Sequence, residues 1–207
     1  MNKQRVSSSL HLQMGQETLY LLLTAAIFAS VVLAARVIHE RARYKEPPII
    51  TLPEAAGFTF PTGSAQITAS FGERLRVKIV PELRMMSDKY NTRTIEVIGH
   101  TDEVPLGAAA RRASNLDVSL LPTLLGQDAP PPIAADNPGL GMARAVAIAR
   151  ALKSAGIDEG FTIVPLSAGP FLRPDDSVTD GQVMIAENER RRIEIRLRRP
   201  ARRVQAP

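Results

Sequence analysis

Cysteine is absent from the 207 residues. Its absence removes a disulfide framework, a thiolate zinc site, a cysteine nucleophile and any lipid anchor that needs an acylatable cysteine. The compartment stays open, because a periplasmic protein can do without disulfides. Charge is absent from Thr18 to Ala35, whereas Arg190 to Arg203 holds eight arginines, so the net charge of +5 is unevenly distributed. Signs of catalysis are also missing. His100 stands near Asp102, but there is no second histidine beside it, no serine-nucleophile motif and no glycine-rich phosphate loop. His11 and His39 flank the uncharged stretch and cannot supply ligands to a site in the later domain. The sequence reads as a non-enzyme with no cofactor and no metal.

A chain of this length accommodates one ordinary domain plus appendages and can bury a real core. Leu19 to Ala35 (LYLLLTAAIFASVVLAA) is apolar on every side and close to the lower limit of about 17 to 25 residues for a membrane-crossing helix. Thr24 and Ser30 are tolerable there because each hydroxyl can bond to a carbonyl one turn back. The expected organisation is a cytoplasmic amino-terminal segment at 1–17, a transmembrane helix at 18–36 and a linker at 37–50. A cleaved signal peptide is the alternative, with Lys3 and Arg5 as its charged start and Val32-Leu33-Ala34 as its cleavage site. The basic cluster Arg36, Arg41, Arg43 and Lys45 favours a retained anchor, since it resists translocation of a new mature end. That cluster outnumbers Lys3 and Arg5, and the positive-inside rule would keep it cytoplasmic. Long domains obey the rule less strictly than short loops.

Tyr44-Lys45-Glu46-Pro47-Pro48 reads as linker, because consecutive prolines cannot continue a helix. A domain at 51–199 follows, with a basic tail at 200–207. Phe58-Thr59-Phe60 alternates as a short strand, and Pro61 to Ser64 turns the chain. Phe71, Leu75, Ile79, Leu83, Met86 and Tyr90 recur at helical steps on one stripe, interrupted by Pro81, which either kinks the helix or opens a second segment. Thr94 to Ile98 (TIEVI) is strand-like and closed by Gly99. A helix is expected from about Leu140 to Ala155, with Met142, Ala145, Val146, Ala149 and Leu152 inward and Gly156 as its cap. Phe161 to Leu166 makes another strand. Arg192 to Arg198 alternates charge against Ile193, Ile195 and Leu197, as a strand with one buried face does. Between them, 106–137 reads as an inserted surface excursion with one short ordered piece at Leu116 to Leu125. Alternating strands and helices predict an α/β fold, an α+β sandwich of a sheet packed against helices.

FTFPTGSAQI (Phe58 to Ile67), IEVIGHTDEVP (Ile95 to Pro105), ARAVAIARAL (Ala143 to Leu152) and RRIEIRL (Arg191 to Leu197) follow one another as in the OmpA/MotB-type peptidoglycan-binding domains, which the chain resembles over about Ile50 to Arg199. The Val-Pro after Gly-His-Thr-Asp is most similar to the branch containing flagellar stator B subunits. The resemblance implies an OmpA-C-like mixed sheet that recognises the diaminopimelate residue of the peptidoglycan stem peptide. It assigns Asp102 to the ligand's ammonium and Arg144 to its carboxylate, with Thr101, Asn137, Leu140 and Arg191 as further pocket candidates. The chemistry is sensible on its own terms: a zwitterionic end wants one anion and one cation close together, and a guanidinium grips a carboxylate in two parallel hydrogen bonds. Singly, Asp102 reads as a turn cap and Arg144 as a solvated helix charge. Within the pattern they read as a pair.

The chain departs from the family at three places. The Asn-x-x-Leu-Ser stretch before the Arg-Ala pair has two competing counterparts, Ser114 to Ser119 and Asn137 to Gly141. Arg190 occupies the place of the asparagine in the family's Asn-Arg-Arg, with Asn188 displaced by two. Stator B subunits carry an aspartate within the membrane helix, but no aspartate occurs here before Asp88, leaving Glu17 at the helix's edge as the nearest acid. The resemblance thus implies a single-pass bacterial inner-membrane protein, its carboxy-terminal domain periplasmic, that tethers an envelope complex non-covalently to peptidoglycan. A stator-like subunit with a multi-span membrane partner is the alternative, and homo-oligomerisation stays open. A lesser alternative is nucleic-acid or anionic-lipid binding by the arginine-rich end. Nucleic acid is disfavoured because aromatic interleaving is missing and the first half of the arginine run is assigned to the exposed face of a strand.

Overall fold

A computed structural model describes residues 3–43, 46–107, 113–157, 160–181 and 186–199, with side chains in the first helix described over 17–39. Tyr44 and Lys45 of the expected linker, the side chains of Arg41 and Arg43, and the basic tail at 200–207 lie outside the described residues. The chain divides into two units, Met1–Glu46 and Pro47–Pro207.

The first unit is one helix, α1 (Lys3–Arg43). Its Glu17–His39 stretch has a mean hydropathy of 2.4 and is exposed throughout. At 1.5 Å per residue, 23 residues extend about 35 Å, enough to cross a hydrocarbon layer of about 30 Å. The two hydroxyls are satisfied as expected, Thr24 Oγ1 donating to the Tyr20 carbonyl at 2.9 Å and Ser30 Oγ to that of Ala26 at 2.8 Å.

The second unit is a mixed α/β layer structure. Its elements are β1 (Ile50–Pro53), α2 (Ala69–Arg74), a π-turn (Leu75–Ile79), α3 (Val80–Tyr90), β2 (Thr94–His100), α4 (Leu116–Leu125), α5 (Asn137–Ser154), β3 (Thr162–Gly169) and β4 (Arg192–Arg198). The strand order is β1-β4-β2-β3, with β4 antiparallel to both neighbours and β2 parallel to β3. A parallel pair needs a crossover, and α5 supplies it. Leu52, Ile95, Val97, Ile193, Ile195 and Leu197 turn one sheet face toward Phe71, Leu75, Leu83, Ile148 and Leu152 to form the core.

Pro81 lies in the first turn of α3, the second of the two expected accommodations, and the stripe stays on its face. The π-turn before it is closed by the Val80 N–H bonding to the Leu75 carbonyl, five residues back. The wider turn relieves the clash of a proline ring with the preceding carbonyls and absorbs its missing donor. Phe71, Leu75, Ile79, Leu83 and Met86 consequently remain buried on one line. Gly156 caps α5 as expected: at φ +97° it donates to the Lys153 carbonyl, and Ile157 donates to that of Leu152, both at 2.9 Å.

Three expectations are corrected. Phe58-Thr59-Phe60 pairs with no strand among the described residues, and β1 occupies the sheet edge instead, with Ile50 opposite Ile195. The alternation serves ring packing, since Phe58 and Phe60 each meet Phe71 edge-on at 5.2 Å. The stretch 106–137 has its ordered piece where expected, as α4, but it is docked where it is described. From α5, Arg150 Nη1 donates to the Thr123 carbonyl at 3.2 Å and Lys153 Nζ to that of Leu124 at 3.3 Å. Asn115 closes the stretch on itself by donating to the Pro131 carbonyl and accepting from the Ile133 N–H, and Ser119 and Ala134 are buried. The polar face of β4 is covered at its start, with Arg192 and Glu194 each only 5% exposed. Residues 171–180 lie over it, held by a bridge between Leu172 and Val178 and by Arg192 Nη2 donating to the Arg173 carbonyl at 3.2 Å.

Candidate functional site

Two glycines bring the site together. Gly99, at the end of β2, and Gly141, in the first turns of α5, meet backbone to backbone: a Cβ added at Gly99 would lie 2.0 Å from the Gly141 carbonyl oxygen. Only paired glycines permit helix and strand to approach so closely. The amino end of α5 is further tied to β3, where Ser167 Oγ donates to the Pro138 carbonyl at 2.7 Å, and is capped by Asp136, which accepts from the Gly139 N–H at 2.7 Å. Arg144 therefore projects from α5 beside the loop that leaves β2.

That loop is held by its own backbone. Thr101 N–H donates to the Gly169 carbonyl at 2.9 Å, and Asn137 Nδ2 donates to the carbonyls of Asp102 (3.1 Å) and Val104 (2.9 Å). The loop and α5 border a cavity of about 690 Å³, and all six residues expected from the sequence line it: Thr101, Asp102, Asn137, Leu140, Arg144 and Arg191. Thr101 Oγ1 is buried without a hydrogen-bond partner among the described residues. Phe60, Val104, Pro105 and Leu140 give the cavity an apolar wall beside its charges.

Asp102 and Arg144 share the cavity without pairing to each other. Asp102 accepts from Arg191 Nη1 at 2.7 Å, and Glu54 accepts from Arg191 Nε at 2.5 Å. The third arm of Arg191, Nη2, donates to Asn188 Oδ1. Burial works against the charge of Arg191, but the bonds to Glu54 and Asp102 outweigh it and raise its pKa. Arg144 is in the opposite situation. It is 4% exposed, its Nε donates to the Ser64 carbonyl at 3.1 Å, and its guanidinium lies 4.9 Å from the centre of the Phe60 ring. Among the described residues it has no carboxylate within salt-bridge distance, and burial lowers its pKa even though Glu54 pulls the other way.

Behind the cavity, a buried ion pair holds the same segments. Arg190 Nη1 donates to Glu103 Oε1 at 2.7 Å, its Nη2 donates to the Pro170 carbonyl at 2.6 Å, and Glu103 also accepts from Thr179 Oγ1. The bond from Thr179, with that from Arg190, holds the Glu103 carboxyl below its usual range. Adjacent acids thus pair with adjacent arginines, Asp102 with Arg191 in the cavity and Glu103 with Arg190 inside the protein. On the sheet's second face, His100 Nε2 is 3.3 Å from Glu194. His100 is fully buried there, packed as part of the scaffold. Arg190, Arg191 and Arg192 are all engaged by carboxylates. The first half of the arginine run is therefore wired to carboxylates within the protein, with Arg190 and Arg192 buried and Arg191 bordering the cavity.

Sequence reasoning missed Glu54, which lines the cavity and contacts Arg191 across 137 positions. No local signal marks it: it is a lone acid in a short 3₁₀ turn, Glu54–Ala56, and its role exists only once β1 lies beside β4.

No protein-family model matches the chain, and no curated protein matches it. Several solved structures are similar to it. The periplasmic domain of Helicobacter pylori MotB is 19% identical with a TM-score of 0.48, over 76% of this chain and 79% of that one. A second MotB periplasmic-domain structure is 18% identical with a TM-score of 0.49, over 76% and 66%. The cell wall anchor of the T6SS from Pseudomonas aeruginosa is 21% identical with a TM-score of 0.39, over 72% and 79%.

Proposed function

We propose that the cavity binds the zwitterionic end of the diaminopimelate residue in the peptidoglycan stem peptide, and that the protein is a membrane-anchored, non-covalent tether to the wall. One observation carries the reading. Arg144 is a buried guanidinium that borders a cavity and has no carboxylate partner among the described residues, with Asp102 across the same cavity. Buried charges are ordinarily paired, so a ligand carboxylate is the partner that Arg144 lacks. Asp102, already neutralised on one side by Arg191, offers its other side to an ammonium. The apolar wall formed by Val104, Pro105 and Leu140 suits the aliphatic stem that joins this charged end to the rest of the peptide.

The full-length protein in detergent is expected to co-sediment with diaminopimelate-type sacculi. Arg144→Ala and Asp102→Ala should each weaken the interaction by about 2 to 5 kcal/mol, roughly thirtyfold or more in affinity. Arg144→Lys should recover little, because an ammonium cannot reproduce the paired bonds. Protein left in the supernatant at every wall concentration would remove the tether reading, and wild-type affinity in both alanine variants would remove the site. The orientation has its own test: alkaline phosphatase fused to the carboxy terminus is expected to be active, as in the periplasm. An inactive fusion would place the domain in the cytoplasm, where the basic cluster after the membrane helix would put it.

A further inference from the structure

We propose that Glu54 is a specificity-determining residue: it brings the cavity's charge to zero, so that the site takes a ligand end bearing both ammonium and carboxylate and rejects one bearing the carboxylate alone. This rests on the reading of the cavity given above and extends it to a residue outside the Asp102 and Arg144 pair.

Four charged side chains line the cavity among the described residues, Glu54 and Asp102 against Arg144 and Arg191, and they sum to zero. Each of the three nitrogens of Arg191 already donates within the protein, to Glu54, Asp102 and Asn188, and its charge is matched by two carboxylates. Arg144 is left as the single cation for a ligand. Were Glu54 neutral, Arg191 would lose a counter-charge and the cavity would carry a net positive charge. Any anion would then be welcome. With Glu54 ionised, a carboxylate that arrives without an ammonium leaves one uncompensated negative charge beside two carboxylates, in a site where unpaired charge is costly. Glu54 is also the acid whose charge acts most strongly on Arg144, ahead of Asp102.

The position of Glu54 is built. Its N–H donates to the Arg191 carbonyl at 3.2 Å, so backbone and side chain engage the same residue. Its carbonyl accepts from Gly57, at φ +82°, and Arg74 Nη1 clamps the turn by donating to the Ala56 carbonyl at 2.6 Å. A Cβ at Gly57 would meet that Arg74 guanidinium at 2.6 Å. The carboxylate is thus held at the cavity from both sides of its turn.

The test compares two soluble muropeptides by calorimetry on the full-length protein in detergent. One contains meso-diaminopimelate; the other has 2-aminopimelate in its place, which lacks the distal amine and keeps the carboxylate. The wild type is expected to prefer the first by about tenfold or more, the worth of a charge-assisted hydrogen bond. Glu54→Gln should shrink the gap to about threefold or less by binding the aminopimelate peptide more tightly. Glu54→Asp should restore the preference. Arg191→Gln moves the charge the other way and should widen the gap, which keeps the proposal open to refutation even if the glutamine variant fails to fold. A gap that does not respond to Glu54→Gln, in a variant melting like wild type, overturns the proposal and leaves the tether intact. A wild type that binds neither muropeptide overturns both.

Discussion

Gly99→Ala is expected to destabilise the second unit by about 3 kcal/mol and to weaken ligand binding at the same time. The new methyl would lie 2.0 Å from the Gly141 carbonyl oxygen and 2.7 Å from its carbonyl carbon. Both are backbone atoms, so no rotamer change relieves the clash. Only a shift of α5 away from β2 does, and Arg144 sits on α5 three residues past Gly141. Gly141→Ala should cost less, because one of its two close contacts is Ser167 Oγ at 2.6 Å, which can turn aside. Gly72→Ala is the matched control. Its Cβ would meet only Ile67 Cγ2, at 4.0 Å, and in helical backbone the change should stabilise by about 0.5 to 1 kcal/mol. Urea unfolding of the three variants checks the order, and a Gly99→Ala protein with the wild-type midpoint would refute the close-approach account.

Loss of Glu194 should be comparable in size and different in its pH dependence. This carboxylate accepts from Arg192 Nε at 2.8 Å and Arg196 Nη2 at 2.6 Å, with His100 at 3.3 Å. Glu194→Ala leaves Arg192 buried without its anion, at a cost of roughly 3 to 5 kcal/mol near neutral pH. Burial by itself would raise the Glu194 carboxyl, but its contacts with His100, Arg196 and Arg192 hold it well below the usual carboxylate range. A depressed folded-state pKa stabilises fully above the unfolded value, about 4.3 for glutamate, and the contribution is lost as pH falls below it and through the folded value. The stability difference between wild type and Glu194→Gln should therefore be constant from neutral pH to about pH 5 and shrink below about pH 4. Denaturant titrations at several pH values read this directly. A difference as large at pH 3 as at neutral pH would mean that the ion pair contributes nothing.

What the sequence made legible was what a short window can carry. TIEVI and Gly99 announce a strand and its stop, and the small and apolar residues of 143–152 recur on one helix face. The convergence of Asp102 and Arg144 on one cavity followed once those two elements were recognised. What stayed hidden depended on distant neighbours. Alternation in Arg192 to Arg198 says which face is apolar, but whether the polar face meets water is decided by 171–180, twenty residues earlier in the chain. The alternating phenylalanines at 58 and 60 carry the same period whether a strand pairs with them or a third ring, Phe71, receives them. Pro81 leaves its accommodation open, since the five-residue bond that absorbs it has no sequence signature. Glu54 is the extreme case, with its partner 137 positions away.

The tandem pairing of Asp102 and Glu103 with Arg191 and Arg190 has a consequence for register. Because Glu189 is followed by three arginines, a slip that moved each acid one residue later would still set Glu103 against Arg191 and Asp102 against Arg192. The charges are degenerate toward that error. A slip the other way would bring Glu189 against Glu103, so they oppose only half of the possible mistakes. The remaining discrimination falls to Ile193, Ile195 and Leu197, which one residue of slippage would turn out of the core. The cavity bordered by Asp102 and Arg144 is thus aligned, to within one residue, by three aliphatic side chains that are not part of its lining.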